Sequence, residues 1–274
     1  EAERYKEILH NFNPTMAAQQ QMSFMDYSLG FAMGNQSQVK KVTLGYNFSV
    51  SYKSNTEFYK NAEFGRYGLS ADPDEYEMEV REFQVGDYGV SSVLWSVLAG
   101  FSVKTLQSKY SINFLRLQNG ESKAGIFDYS STDQGTIFSG FQHNLEYGQR
   151  SLSSILIDGK HSFKSSIWIL EWRLAPTLSR MDDPDIRFTR YVGTEGDWVI
   201  GTESGFPERI WRELDEINLS GLVNATREFD FLGKRSKLMF GGAYAYKERD
   251  FVIRNYALNI RNVPLTGNPD ELFY

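Results

Sequence analysis

Asp182 and Asp183 stand side by side in the run MDDPDIR, and a second acidic run, ADPDEYEMEVRE, covers residues 71–82. Adjacent carboxylates can share a proton, grip a cation or attract a cationic substrate. Neither run has the ligand spacing of an EF-hand loop, and neither sets a second group beside the pair to make one an acid and the other a base. Solvated loop charge, or charge turned toward lipopolysaccharide, accounts for both. The histidines His10, His143 and His161 lie far apart and have no metal-ligand spacing. His143 alternates with Phe141 and Leu145, so a strand contact suits it better than a metal. The serines lack a nucleophile elbow. With no cysteine in the chain, disulfides, thiolate metal sites and cysteine nucleophiles are excluded. No catalytic constellation emerges, so the expectation is a non-enzyme without cofactor or metal.

Trp95, Trp168 and Trp172 could stack on a sugar or an aromatic ligand. They fall on the apolar side of their segments, where lipid contact or an interfacial aromatic girdle is the stronger reading. That side is defined by an alternation which pervades the sequence. In KKVTLGYNFSVSYKS (40–54), Val42, Leu44, Tyr46, Phe48, Val50 and Tyr52 alternate with Thr43, Gly45, Asn47, Ser49 and Ser51. The period is two, the period of a strand.

The same pattern recurs from Met25 to Met33, from Val93 to Val103, from Tyr110 to Phe114, and from Phe141 toward Ile157. It returns from Trp168 to Leu174, from Ile217 to Thr226 and from Lys237 to Tyr246. About eight strands result. One face carries Phe, Tyr, Trp, Leu and Val; the other carries Gly, Ser, Asn and Thr. Short connections are expected near 34–38, 104–109, 158–165 and 229–236, and long ones near 55–79, 119–136 and 180–209. The first ten residues suit a short helix ended by Asn13-Pro14, and residues 262–274 read as loop.

Composition agrees with β-structure. Of 274 residues, 41% are apolar and 15% aromatic, with 20 Phe, 16 Tyr, 23 Gly and 7 Pro. The net charge of −6 gives no footprint for nucleic acid. The longest uncharged run, 88–103, contains Gly89 and Gly100 and is too short for a spanning helix. Negative mean hydropathy is still compatible with a barrel that shows lipid only half its side chains. Alternating short and long connections also suit an all-β antiparallel transmembrane barrel, with short periplasmic turns and long outer loops. The other reading is a large soluble β-protein with one buried face.

HNLEYGQRSLSSILIDGKHSF, IWILEWRLAPTLSRMDDPDIR and KLMFGGAYAYKERDF resemble the barrel of TonB-dependent outer-membrane receptors. The resemblance is a pattern over most of the chain, and it is sharp over residues 141–190 and 237–251. Its motif positions are a Gly-x-His turn at Gly159 and His161, a following strand with Trp172, a Pro-Asp-x-Arg loop at Pro184, Asp185 and Arg187, and Lys247 and Arg249 in a later strand. The resemblance implies a 22-stranded barrel in the cell outer membrane, filled by a plug domain and energised through TonB. Such a barrel imports a scarce nutrient: an iron chelate, cobalamin, a glycan or a peptide. Lipid bilayer and lipopolysaccharide would surround it. Asn47, Asn144, Glu146, Glu171 and Arg173 would face the plug or the permeation route.

Residues 1–274 show about eight strands and no recognisable plug or TonB box. Glu1-Ala2-Glu3-Arg4 has no apolar run, so an exported protein would begin here as a mature form or an excised piece. With short turns in the periplasm, both ends fall on the outer side. The expectation is therefore a middle segment of a larger barrel; the alternative is a small standalone barrel serving as an anchor or adhesin.

Overall fold

A computed structural model describes residues 3–4, 10–70, 72, 74, 76–132, 137–163, 167–194, 197–200, 205–260 and 265–273. They form one antiparallel sheet. Its strands are β1 (Tyr27–Val39), β2 (Val42–Leu69), β3 (Met78–Lys104), β4 (Ser108–Ser131), β5 (Phe138–Phe163), β6 (Trp168–Thr194), β7 (Asp197–Val199), β8 (Glu208–Phe231) and β9 (Lys234–Ala257). The spatial order follows the chain, except that short β7 pairs with β6 and leaves β8 as the next neighbour of β6. The sheet is open, with β1 and β9 at its edges.

Apart from Met25-Asp26, which precede β1, the period-two segments are strands, and most strands run well past them. β2 has 28 residues and β4 has 24. Three expected long connections are therefore corrected: most of 55–79, 119–136 and 180–209 is strand. The connections left are 70–77, 132–137 and 200–207. Polar composition misled because a strand beyond the apolar zone needs no apolar face; its ladder hydrogen bonds suffice. The expected turn at 34–38 lies inside β1, and the chain reverses at Lys40-Lys41, where Lys40 adopts φ 56°. Gly159 and His161 lie inside β5, so the expected Gly-x-His turn is also corrected; the reversal follows Phe163, and residues 164–166 lie outside the described residues. The connections at 104–109 and 229–236 narrow to 105–107 and 232–233.

In the acidic run 71–82, Ala71, Pro73 and Glu75 lie outside the described residues, and Met78 onward belongs to β3. The N-terminal helix falls mostly outside them too; Glu3, Arg4 and His10 are helical. Residues 265–273 are more than loop: Leu265 bridges to Trp198, and Pro269–Phe273 form a short 3-10 helix.

Register places the aromatic and most of the other large apolar residues near the short turns on one face, while Leu94, Leu98, Leu115, Leu117, Leu152 and Leu156 fall on the other. Phe31 pairs with Val50, Val50 with Val97, Phe101 with Ile112, Phe114 with Ile155, Ile157 with Leu174, Trp172 with Val223, and Leu219 with Tyr246. Trp95 and Trp168 share this face. The zone occupies the end of the sheet near the short turns. On the opposite face a single row links Asn47, Gly100, Asn113 and Leu156. Asn144, Glu146, Glu171 and Arg173, like Asn47, take this second face, as the alternation requires.

The hairpins are staggered. The hydrogen-bonded row Thr43, Lys104, Lys109, Lys160, Glu171, Asn224, Gly241 crosses the sheet from β2 to β9. At this row β3 and β4 reach their turn, whereas β5 runs on to Phe163 and β8 to Phe231. Three bulges, at Asn61, Arg81 and Asp185, adjust the ladders at the long-loop end.

Candidate functional site

The motif residues fall into three separate clusters. At the short-turn end, Gly159 sits opposite Trp172, whose indole covers it. Trp172 Nε1–H donates to His161 Nε2 at 3.0 Å, and His161 Nδ1 lies 3.0 Å from Ser108 Oγ. Since Nε2 accepts, neutral His161 carries its proton on Nδ1 and donates it to Ser108. This pins the ring and leaves it no free nitrogen for a ligand.

The Pro-Asp-x-Arg segment is a bulge in β6 and not a loop. Asp185 takes φ 59°, which turns its carboxylate toward two arginines. Arg187 donates to it from Nε and Nη2, at 3.1 and 2.7 Å. Arg209 on β8, wholly buried, donates from Nε at 2.5 Å and also from Nη2. Both arginines also reach the segment before β1: Arg187 to the Thr15 carbonyl at 2.5 Å, Arg209 to the Asn13 carbonyl at 2.8 Å. Phe12 and Phe273 lie against the Arg209 guanidinium.

The two terminal segments are thereby strapped across β5, β6 and β8, on the face that carries the apolar zone. Asp270 accepts the Met16 and Ala17 N–H groups, and His143 Nδ1 accepts that of Ala18 at 3.0 Å. Burial holds the His143 pKa below its ordinary value, with Asp270 opposing. Burial, aided by its hydrogen bond to Glu271, holds the Tyr191 phenol well above its usual range. His143 thus sits where the segment before β1 meets the sheet. Among the described residues no group of His, Asp or Glu could hold a metal ion.

In the third cluster, Glu216 collects Lys247 Nζ at 3.1 Å and Arg249 Nε at 2.8 Å on the polar face of β8 and β9. This cross-strand ion cluster is exposed on the arginine and lysine side.

The richest chemistry lies on the polar face at the long-loop half, where sequence reasoning had named Asp183 of the acidic pair, Asn144 and Glu146. A cavity of about 30 Å³, lined among others by Lys123, Glu146, Gly148, Arg150, Asp183 and Arg212, opens between β4, β5, β6 and β8. That is room for a water or two. Lys123 pairs with Glu121 at 2.8 Å, and Arg212 pairs with nearly buried Asp183 at 3.1 Å. Arg212 Nε is buried without a hydrogen-bond partner. Gly148 leaves the gap open, since a Cβ there would come within 2.5 Å of Asp183 Oδ1.

Beside the cavity four rings cluster: Tyr59, Phe64, Tyr88 and Phe127, with centroids 5.4 to 6.3 Å apart. Two glycines make room for them. Phe127 faces Gly86 across the β3–β4 ladder, and Tyr88 faces Gly125. The Phe127 ring covers Gly125, so any side chain there would displace it. Tyr88 joins the rings to the charged groups: burial raises its pKa, Lys123 lowers it, and Glu146 and Glu121 raise it further. Farther along, Arg190 lies 3.9 Å over the Tyr129 ring and donates to Gln142 Oε1 and Glu82 Oε1.

Sequence reasoning missed the ring cluster because its residues come from three strands. Its faint local signals were the glycines at 86 and 125, each two residues from an aromatic that takes the same face. Compared with known protein families, curated proteins and solved structures, the chain has no match.

Proposed function

We propose that this sheet is part of the wall of an outer-membrane β-barrel. Its aromatic face would meet lipid, and its small polar face would meet an aqueous interior. The observation that carries this reading is the register: every long strand contributes aromatic or large apolar residues to one continuous zone on one face, and many of them are solvent-exposed. Phe31 is 56% exposed, Phe101 48% and Phe240 55%. A soluble sheet would cover such a surface. A strand needs about 9–11 residues to cross a bilayer, and the apolar alternation supplies that length near the short turns; the remainder of each strand stands above the membrane.

Two further features support the proposal. The stagger of the hairpins is the shear that a tilted, closing sheet needs. The free edges of β1 and β9 cannot remain unpaired in hydrocarbon, so in the membrane the wall would close, by pairing these edges with each other or with further strands. The assignment to TonB-energised import of a scarce nutrient rests on the resemblance at Gly159, His161, Trp172, Pro184, Asp185, Arg187, Lys247 and Arg249. The structure puts the first two and Pro184-Asp185-x-Arg187 within strands, not in the turn and loop of that pattern. In the complete protein, a plug, TonB and lipopolysaccharide would be partners.

The face assignment is tested with Phe48→Asp and Asn47→Asp. The first places a charge against lipid, at a cost of about 2–4 kcal/mol near the midplane, and is expected to block insertion into vesicles. The second turns toward water and is expected to insert normally. Equal mobility shifts of the two variants in a heat-modifiability gel would overturn the assignment. Uptake by the complete protein is expected to stop in cells lacking TonB.

A further inference from the structure

A strand face turned to water has no structural need for a cluster of large rings, yet one stands on the polar face. Elsewhere this face carries small polar residues, charged residues and leucines such as Leu98, Leu115 and Leu156, with no other stacked group of rings among the described residues. Phe127 is buried and forms a floor, while Tyr59 and Phe64 remain 50% and 48% exposed above it. Tyr59 pairs directly with Tyr88 across the β2–β3 ladder and stacks on it at an interplanar angle of 27°. The bulge at Asn61, with φ 52°, brings Phe64 onto the same face as Tyr59. Gly86 and Gly125 keep the ground opposite Phe127 and Tyr88 clear. The stacking rings lie on β2 and β3, with the Tyr59 and Phe64 centroids 6.3 and 6.1 Å from Tyr88, and buried Phe127 on β4 supports them.

The border of this surface is polar. Lys123 and Phe127 flank Gly125 on β4, and Glu146 lies opposite Lys123 on β5. Gln142 donates to Asn144 at 2.7 Å on the same side. The ion pairs Lys123–Glu121 and Arg212–Asp183 balance one another. The border therefore offers both donors and acceptors while carrying no strong net charge to select an ion.

We propose that the long-loop half of the polar face binds a neutral oligosaccharide, with Tyr59, Phe64 and Tyr88 as its stacking surface and Glu121, Lys123 and Glu146 as its hydrogen-bonding border. A pyranose ring fits this chemistry because its C–H groups pack on an aromatic face while its hydroxyls point outward to donors and acceptors. Three rings, with Tyr59 and Phe64 each about 6 Å from Tyr88, give more stacking area than one sugar ring covers. The inference rests on the proposed exposure of this face to water, and it narrows the nutrient to a glycan.

The test uses the full chain folded in detergent micelles and isothermal titration with maltohexaose, cellohexaose and mannohexaose. Hexagalacturonate serves as the anionic probe and catechol as the planar aromatic one. Saturable binding of at least one neutral hexasaccharide is expected. Phe64→Ala and Tyr59→Ala, both at exposed rings and so compatible with folding, are each expected to weaken it about tenfold. Phe31→Ala, on the opposite face, is expected to leave it unchanged. The proposal is overturned if no neutral hexasaccharide binds, if only hexagalacturonate or catechol binds, or if both ring variants bind as well as wild type. Failure here leaves the insertion comparison of Phe48→Asp with Asn47→Asp as it stands, so the two readings can fall separately.

Discussion

Gly159 lies directly across the β5–β6 ladder from Trp172, and the Trp172 indole occupies the space that a Cβ on Gly159 would need. The same indole donates to His161, two residues along β5. A glycine inside a strand is weak by itself; here it allows the ring to lie flat on the backbone. Gly159→Ala would push the indole away and break its hydrogen bond. A loss of about 1–3 kcal/mol is expected from overpacking, read as a lower unfolding temperature with a red-shifted tryptophan emission. An unchanged unfolding temperature would show that the ring has room to move.

Asp185 is the hub of the terminal strap. Arg209 is wholly buried, and its guanidinium has that carboxylate as its charge partner. Asp185→Ala would strand a buried cation, a change worth about 3–5 kcal/mol. Hydrogen exchange of residues 13–18 is expected to accelerate strongly, with β1–β4 unaffected. Exchange unchanged across 13–18 would mean that Arg209 does not hold the strap.

His143 makes the strap sensitive to acid. Its Nδ1 must be unprotonated to accept the Ala18 N–H. Burial lowers its folded-state pKa from the ordinary 6.5, so the unfolded or released state binds the proton more readily. The contribution is complete above about pH 6.5 and is lost as pH falls through the lowered value. After correction for intrinsic rates, exchange at Ala18 is expected to be slow at pH 7.5 and fast at pH 5. A flat profile would argue against the contact.

The reversal between β8 and β9 offers a stabilising change. Leu232 takes φ 50° and Gly233 φ 74°, the pair of positive values that a type I′ turn requires. Leucine pays about 1–2 kcal/mol for that conformation, and Leu232 is exposed. Leu232→Asn is expected to recover about 1 kcal/mol, read as a higher unfolding temperature. A lower temperature would show that the leucine side chain contributes packing instead.

The sequence by itself determined the antiparallel β-character, the eight long strands and which residues share a face. Alternation with a period of two is local, and a strand cannot express it in any other way: Phe48 and Asn47 must point oppositely wherever the strand sits. Strand length was not legible beyond the apolar zone. Residues 55–69 and 119–131 are held by ladder hydrogen bonds that polar residues satisfy as well as apolar ones, so their composition looked like loop. The Gly159–His161 and Pro184–Arg187 segments looked like a turn and a loop for the same reason.

Only the tertiary structure decided what came together. Asp185 meets Arg209 because a bulge in β6 rotates one carboxylate toward the next strand. Asn13 and Asp270, from opposite ends of the chain, meet the same few strands. Tyr59, Tyr88 and Phe127 come together because two registers set Tyr59 opposite Tyr88 and place Tyr88 and Phe127 opposite Gly125 and Gly86. Those meetings depend on register between strands far apart in sequence, and register is set by the pairing of whole strands, not by any short run of residues.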